Sequence, residues 1–283
     1  MSHIINYVKL LTLLVFISHQ SFGQENNYDL GSKAFDDKQY QDAISYLTKA
    51  VTLDKYEISG KELSMAYTYL AIIRTAHLEK SFGSFQVSEI LNNHGNIKLA
   101  IDEMSNALHF QNSSSKSLMN KTAEKLAEIS IKAATSIVDT LATLNTVNSE
   151  EQINEVAHFI IYEFERLEQI SGENWKLEDA LGIAHYYINE KDVAMRKFNM
   201  ARELFSTLEK KEASSLHVLN YMMSCEYLFN EQKDINTLNQ ILDEGITYIE
   251  LMLSQYDEGE LDGIKELTKK ENRLQLLKSK LKK

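Results

Sequence analysis

The stretch Gln24–Lys55, QENNYDLGSKAFDDKQYQDAISYLTKAVTLDK, decides how this chain folds. It reads as two short amphipathic helices joined by a tight turn, with Leu30, Gly31, Tyr40, Ala43, Leu47 and Ala50 placed where two antiparallel helices must touch. Gly31 and Ala43 fall at the closest approach of the axes, where side-chain volume would force the helices apart. Tyr40 follows the turn and closes the crossing. Leu47 and Ala50 share one face of the second helix and pack back against the first. The same spacing returns with Leu181, Gly182, Ala194, Phe198 and Ala201, in a stretch from Trp175 to Leu208. One such hairpin cannot bury its own apolar faces, so it needs neighbours stacked on it.

The rest of the composition agrees with a helical chain. Its 283 residues are 43% hydrophobic and 25% charged, enough for a sizeable continuous core. Proline is absent and there are only 10 glycines. Proline breaks helix interiors and populates turns and sheet edges, so its absence favours helix nearly throughout. No shift in composition marks a second domain, and residues 24–283 read as one continuous helical array.

This pattern resembles the tetratricopeptide repeat, on Leu30, Gly31, Tyr40, Ala43, Leu47 and Ala50 in residues 24–57 and on Leu181, Gly182, Ala194, Phe198 and Ala201 in residues 175–208. Both copies depart from the family pattern early in the first helix, where Asn27 and Glu178 replace an aromatic, and at its close, where Lys55 and Ser206 replace proline. The resemblance implies an all-α solenoid of antiparallel helical hairpins wound as a right-handed superhelix. It also implies a concave groove lined by the first helices, where an extended peptide or partner helix lies. The groove positions it assigns are Tyr28, Ser32 and Phe35 in the first repeat and Asp179, Ile183, Tyr186 and Tyr187 in the later one. Tyrosine suits such a surface, with a flat apolar body and a hydroxyl for pairing; Tyr186 and Tyr187 read equally well as packing against the next hairpin. The lysine and asparagine set with which chaperone-binding repeats clamp a terminal carboxylate is missing from these positions.

Residues 1–23 are a different object. Lys9 is their only formal charge, the apolar run Leu10–Ile17 follows, and Ser21 and Gly23 stand where a signal peptidase wants small residues. The expectation is a signal peptide cut after Gly23 and a periplasmic or secreted protein; the run is too short to span a membrane, which takes ~20 residues. No cysteine follows it, which argues against a lipid anchor. The net charge of −11 disfavours nucleic acid. Basic residues gather in the final helix, 263–283, which is expected to cap the array; docking on an acidic body or contact with an anionic surface are its other readings.

Between the repeats, Ser81–Asn96 reads as an insertion with a short helix near Val87–Leu91, and two long helices follow at about 118–144 and 149–170. Ser224 and Gly245 are candidate small contacts in a further hairpin. Cys225, the only cysteine, excludes an intrachain disulfide and reads as a buried small hydrophobe. Glu155 and His158 have the E-x-x-H spacing of di-iron bundles, but a second copy is missing and a surface or capping histidine is the plainer reading. The acidic DEGELDG at 257–263 lacks the alternating ligands of a calcium loop and reads as a turn. Phosphate-loop, zinc-protease and nucleophile-elbow motifs are likewise missing. The chain is therefore expected to bind a partner protein or peptide, with no catalytic residues, metal or cofactor. A small-molecule or glycan binder of the cell envelope is the alternative.

Overall fold

The structure is a computed structural model describing residues 26–81, 87–110, 116–118, 120–129, 150–209, 214–232, 234–255 and 261–281. The expected signal peptide, most of the helix expected over 118–144, and part of the acidic turn at 257–263 lie outside these residues. Every element among them is an α-helix: α1 Asn27–Asp36, α2 Tyr40–Thr52, α3 Gly60–Ser81, α4 Val87–His109, α5 Glu150–Ser171, α6 Trp175–Tyr187, α7 Lys191–Ser206, α8 Ser215–Asn230, α9 Ile235–Leu253 and α10 Leu261–Leu281. None of the helices described is long and apolar enough to cross a membrane. The chain divides into two compact units, one from residues up to Arg74 with Asp102–Met119, the other from Thr75–Ile101 with Asn120 onward.

In the first unit α1 packs on α2 at Gly31. A Cβ there would come within 2.6 Å of Leu47 Cγ, so only glycine lets the axes come this close. Ala43, Leu47 and Ala50 are fully buried, whereas Tyr40 opens α2 at the edge of the crossing, 39% exposed and edge-on to Phe35. The Asn26 side chain caps α1 by accepting the Asp29 N–H at 2.8 Å. Ser59 and Glu62 form a reciprocal capping box at the start of α3, Ser59 N donating to Glu62 Oε2 (2.6 Å) and Glu62 N to Ser59 Oγ (3.3 Å). Ser64 then donates to the Ala107 carbonyl at 3.0 Å, and Arg74 Nε to Glu103 Oε1 at 2.6 Å.

The short helix expected at Val87–Leu91 is not separate. It runs on through Gly95 into the Asn96–His109 segment as the single helix α4. One interior glycine costs a helix only ~1 kcal/mol, and no proline stands in the way.

In the second unit α6 packs on α7 by the same device. A Cβ on Gly182 would lie 2.5 Å from two ring carbons of Phe198, and Ala194, Phe198 and Ala201 are fully buried. The next hairpin, α8–α9, reverses the roles: Gly245 is on the second helix, and its Cβ would meet Tyr221 Cβ at 2.9 Å and Leu274 Cδ1 of α10 at 3.1 Å. Ser224, expected to share that contact, is buried but engaged with Arg202. Leu267 and Leu274 bury α10 in the same apolar cluster as Trp175, Phe205 and Ile249. Arg273 and Lys278 of α10 pair with Glu226 and Asp243.

The turns agree as closely as the crossings. After α1, Gln39 N donates to Ala34 O (2.8 Å) and Lys38 N to Phe35 O (3.0 Å); after α6, Glu190 N donates to His185 O (2.9 Å) and Asn189 N to Tyr186 O (3.2 Å). These are paired bonds of a Schellman ending. Lys38 and Asn189 hold its left-handed position at φ 60° and 66°, at the same distance from Gly31 and Gly182. Gln232 repeats that backbone after α8 at φ 51°.

Candidate functional site

The groove positions of the first unit lie half-buried on one face of α1. Phe35 stacks on Tyr69 of α3, with centroids 4.2 Å apart and planes inclined 22°. Tyr28 is shielded beside them, and burial, followed by the negative field of Tyr69, Glu62 and Asp29, raises its hydroxyl pKa against a lowering hydrogen bond from Ser32. Tyr28, Ser32, Phe35 and Tyr69 thus form one tyrosine-rich strip across α1 and α3.

The second unit treats its four expected groove residues differently. Tyr186 and Tyr187 are half-buried at the end of α6. Tyr186 has Lys191 Nζ 5.4 Å from its ring centroid, and burial with the charge of Glu226 holds its hydroxyl above the usual range. Asp179 and Ile183, by contrast, are completely buried and present no surface to a partner. The reason is α8, which lays His217 and Asn220 over α6: His217 Nδ1 donates to Asp179 Oδ2 (2.8 Å) and Asn220 Nδ2 to Asp179 Oδ1 (2.6 Å).

Asp179 is the inner end of a polar network that sequence reasoning did not assemble. Asn220 also donates to the Phe198 carbonyl at 3.0 Å. Arg202 of α7 donates through Nη1 to Asn220 Oδ1 and to Ser224 Oγ (3.0 Å), and through Nη2 to Asn199 Oδ1. Burial depresses the Arg202 pKa, opposed by Tyr221 and Glu244. His217 is enclosed by Phe205, Tyr221, Tyr248 and Trp175 at centroid distances of 4.5, 5.0, 5.0 and 5.3 Å. Because the ring is wholly buried, the His217–Asp179 pair ties α6 to α8 and offers no atom to solvent. Asp179, Asn220, Ser224 and Arg202 each have a partner on another helix, so the network fixes helix register, while His217 Nε2 is buried without a hydrogen-bond partner among the described residues.

A second tie joins three helices. Lys197 of α7 reaches Glu178 Oε2 of α6 at 3.1 Å and Glu168 Oε2 of α5 at 3.3 Å. Burial, reinforced by the neighbouring Glu168, pushes Glu178 up to about 8. Lys197 opposes the shift, but its charge is shared between two carboxylates, so the Glu178 carboxyl favours its protonated form more than a free glutamate does.

Beside the arginine network lies a cavity of about 790 Å³ between α7 and α9, with Tyr221 of α8 on its floor. Phe205 and Tyr248 extend the apolar floor, while Arg202, Glu203, Asp243 and Glu244 bring charge to its walls. Tyr186 and Tyr187 do not line it.

Of the remaining motifs, Glu155 and His158 are both exposed on α5. Cys225 is fully buried, and burial pushes its thiol up to about 12. No family model matches this sequence, and a search of curated proteins finds no similar one.

Proposed function

We propose that this chain is an exported interaction module that holds a partner protein or peptide on the first-helix faces of a tetratricopeptide-like array. In this reading the hairpins stack as a right-handed α-solenoid, and the binding face of the second unit runs over Tyr186 and Tyr187. The observation that carries it is the shared geometry of α1–α2 and α6–α7, in which a glycine seats a bulky side chain, Leu47 or Phe198, at the same spacing and the first helix ends in the same left-handed turn. Two distant segments built to one plan support a repeat architecture. Repeat arrays of packed helices present preformed surfaces, so binding costs little ordering of the chain. The reading involves no catalytic step, metal or cofactor.

Export rests on residues 1–23, and mature protein from the native source is expected to begin at Gln24; a start at Met1 or Ser2 removes it. The binding face is tested by the Tyr186→Ala/Tyr187→Ala double variant, which should lose the partner while helicity and melting stay unchanged. The cavity between α7 and α9 favours a second reading, a small-molecule or glycan binder of the envelope, with or without a protein partner.

A further inference from the structure

The geometry points to the cavity between α7 and α9 as a binding site for a small zwitterion, an α-amino acid or short peptide, whose carboxylate meets Arg202 and whose ammonium meets Glu203 and Glu244. At about 790 Å³ the half-open space is in the size range of small-ligand sites.

Four side chains on its lining have pairing capacity that the protein itself leaves to solvent or to a guest. Arg202 has five N–H donors, and its bonds to Asn220, Ser224 and Asn199 use three of them. All three acceptors are neutral, and no carboxylate among the described residues forms an ion pair with it. A half-buried guanidinium with donors to spare readily takes an anion, and Arg202 lines the cavity. Tyr221 is only 5% exposed and lines the same space, yet its hydroxyl has no hydrogen-bond partner among the described residues. Glu203 forms no ion pair among those residues, and Glu244 accepts only from Gln240 Nε2 at 2.8 Å. Asp243 is already paired with Lys278.

Charge then selects the ligand. A simple anion would satisfy Arg202 but face Glu203 and Glu244; a simple cation would meet those carboxylates but face Arg202. A molecule carrying both signs satisfies both walls. Its body would lie on Tyr221, Phe205 and Tyr248, with the Tyr221 hydroxyl free to pair with it. Asn220 and Ser224 hold the Arg202 guanidinium, which feels the charge of Glu244 without forming an ion pair with it among the described residues.

The test uses the full chain in calorimetric titrations with each of the twenty L-amino acids. For any that binds, its carboxamide and its N-acetyl derivative are titrated beside it. Saturable binding is expected from at least one, weakened at least about tenfold by amidation, by acetylation, by Arg202→Gln and by Glu244→Gln. Because Arg202 also ties α7 to α8, Glu244→Gln on the exposed wall is the variant that leaves the fold alone. If none of the twenty binds saturably, or if binding is indifferent to amidation or to Glu244→Gln, the assignment is overturned.

Discussion

Replacing Gly182 with alanine adds a single methyl group at a helix crossing that has no room for it. The new Cβ would sit 2.5 Å from Cδ1 and Cε1 of Phe198, a ring with no exposed surface into which to move. Alanine also raises helix propensity by ~1 kcal/mol, which hides part of the clash. Gly95→Ala supplies the reference, because Gly95 lies inside α4 in the same unit and its Cβ would meet nothing within 4 Å. Both substitutions gain the same propensity, so their difference isolates the overpacking, expected at about 1–3 kcal/mol. In thermal unfolding followed by circular dichroism, each kcal/mol separates the two melting points by roughly 2–4 °C for a chain of this size. Gly182→Ala should melt below Gly95→Ala, and Phe198→Leu in the alanine background should recover part of the loss through non-additivity. Equal melting points, or a more stable Gly182→Ala, would refute a close crossing at this position.

Three further outcomes are expected. Glu178 has its folded pKa raised from 4.5 to about 8, so its contribution to stability is complete below pH ~4.5 and is lost as pH rises through about 8; Glu178→Gln should flatten the denaturant midpoint against pH across that window, and an unchanged profile would count against the buried proton. Lys38 holds a left-handed turn position at φ 60° and is exposed, so Lys38→Gly should raise stability by about 0.5–1 kcal/mol in urea titrations. The Cys225 thiol, pushed up to about 12 by burial, should resist a chromogenic disulfide reagent in the folded protein and react at once in denaturant, whereas rapid reaction without denaturant would contradict its burial.

The crossings were legible in the sequence because small residues at helical spacing have few other uses. Gly31, Ala43, Leu47 and Ala50 in one hairpin, and Gly182, Ala194, Phe198 and Ala201 in the other, are all buried where their spacing puts them. The third hairpin was harder to read, because its glycine moved to the second helix and its bulky partner became Tyr221. The start of α3 carried a readable signal in Ser59 and Glu62, which stand at the spacing of a capping box. Asp179 shows where a repeat alignment stops. It assigns a face to each helix, but the depth to which that face is covered depends on the next hairpin, here through His217 and Asn220. The arginine network and the cavity draw on residues of α6, α7, α8 and α9. Their polar side chains, read one helix at a time, look like ordinary surface.

The central claim is that the α6 face around Tyr186 and Tyr187 holds a partner. Its most direct test is retention from native envelope extract on three immobilised baits: residues 24–283, the same chain with Tyr186→Ala/Tyr187→Ala, and a control with Tyr162→Ala, a tyrosine 61% exposed on α5. The account predicts one stoichiometric protein held by the first and third baits and lost from the second. Retention by all three, or by none, would contradict it.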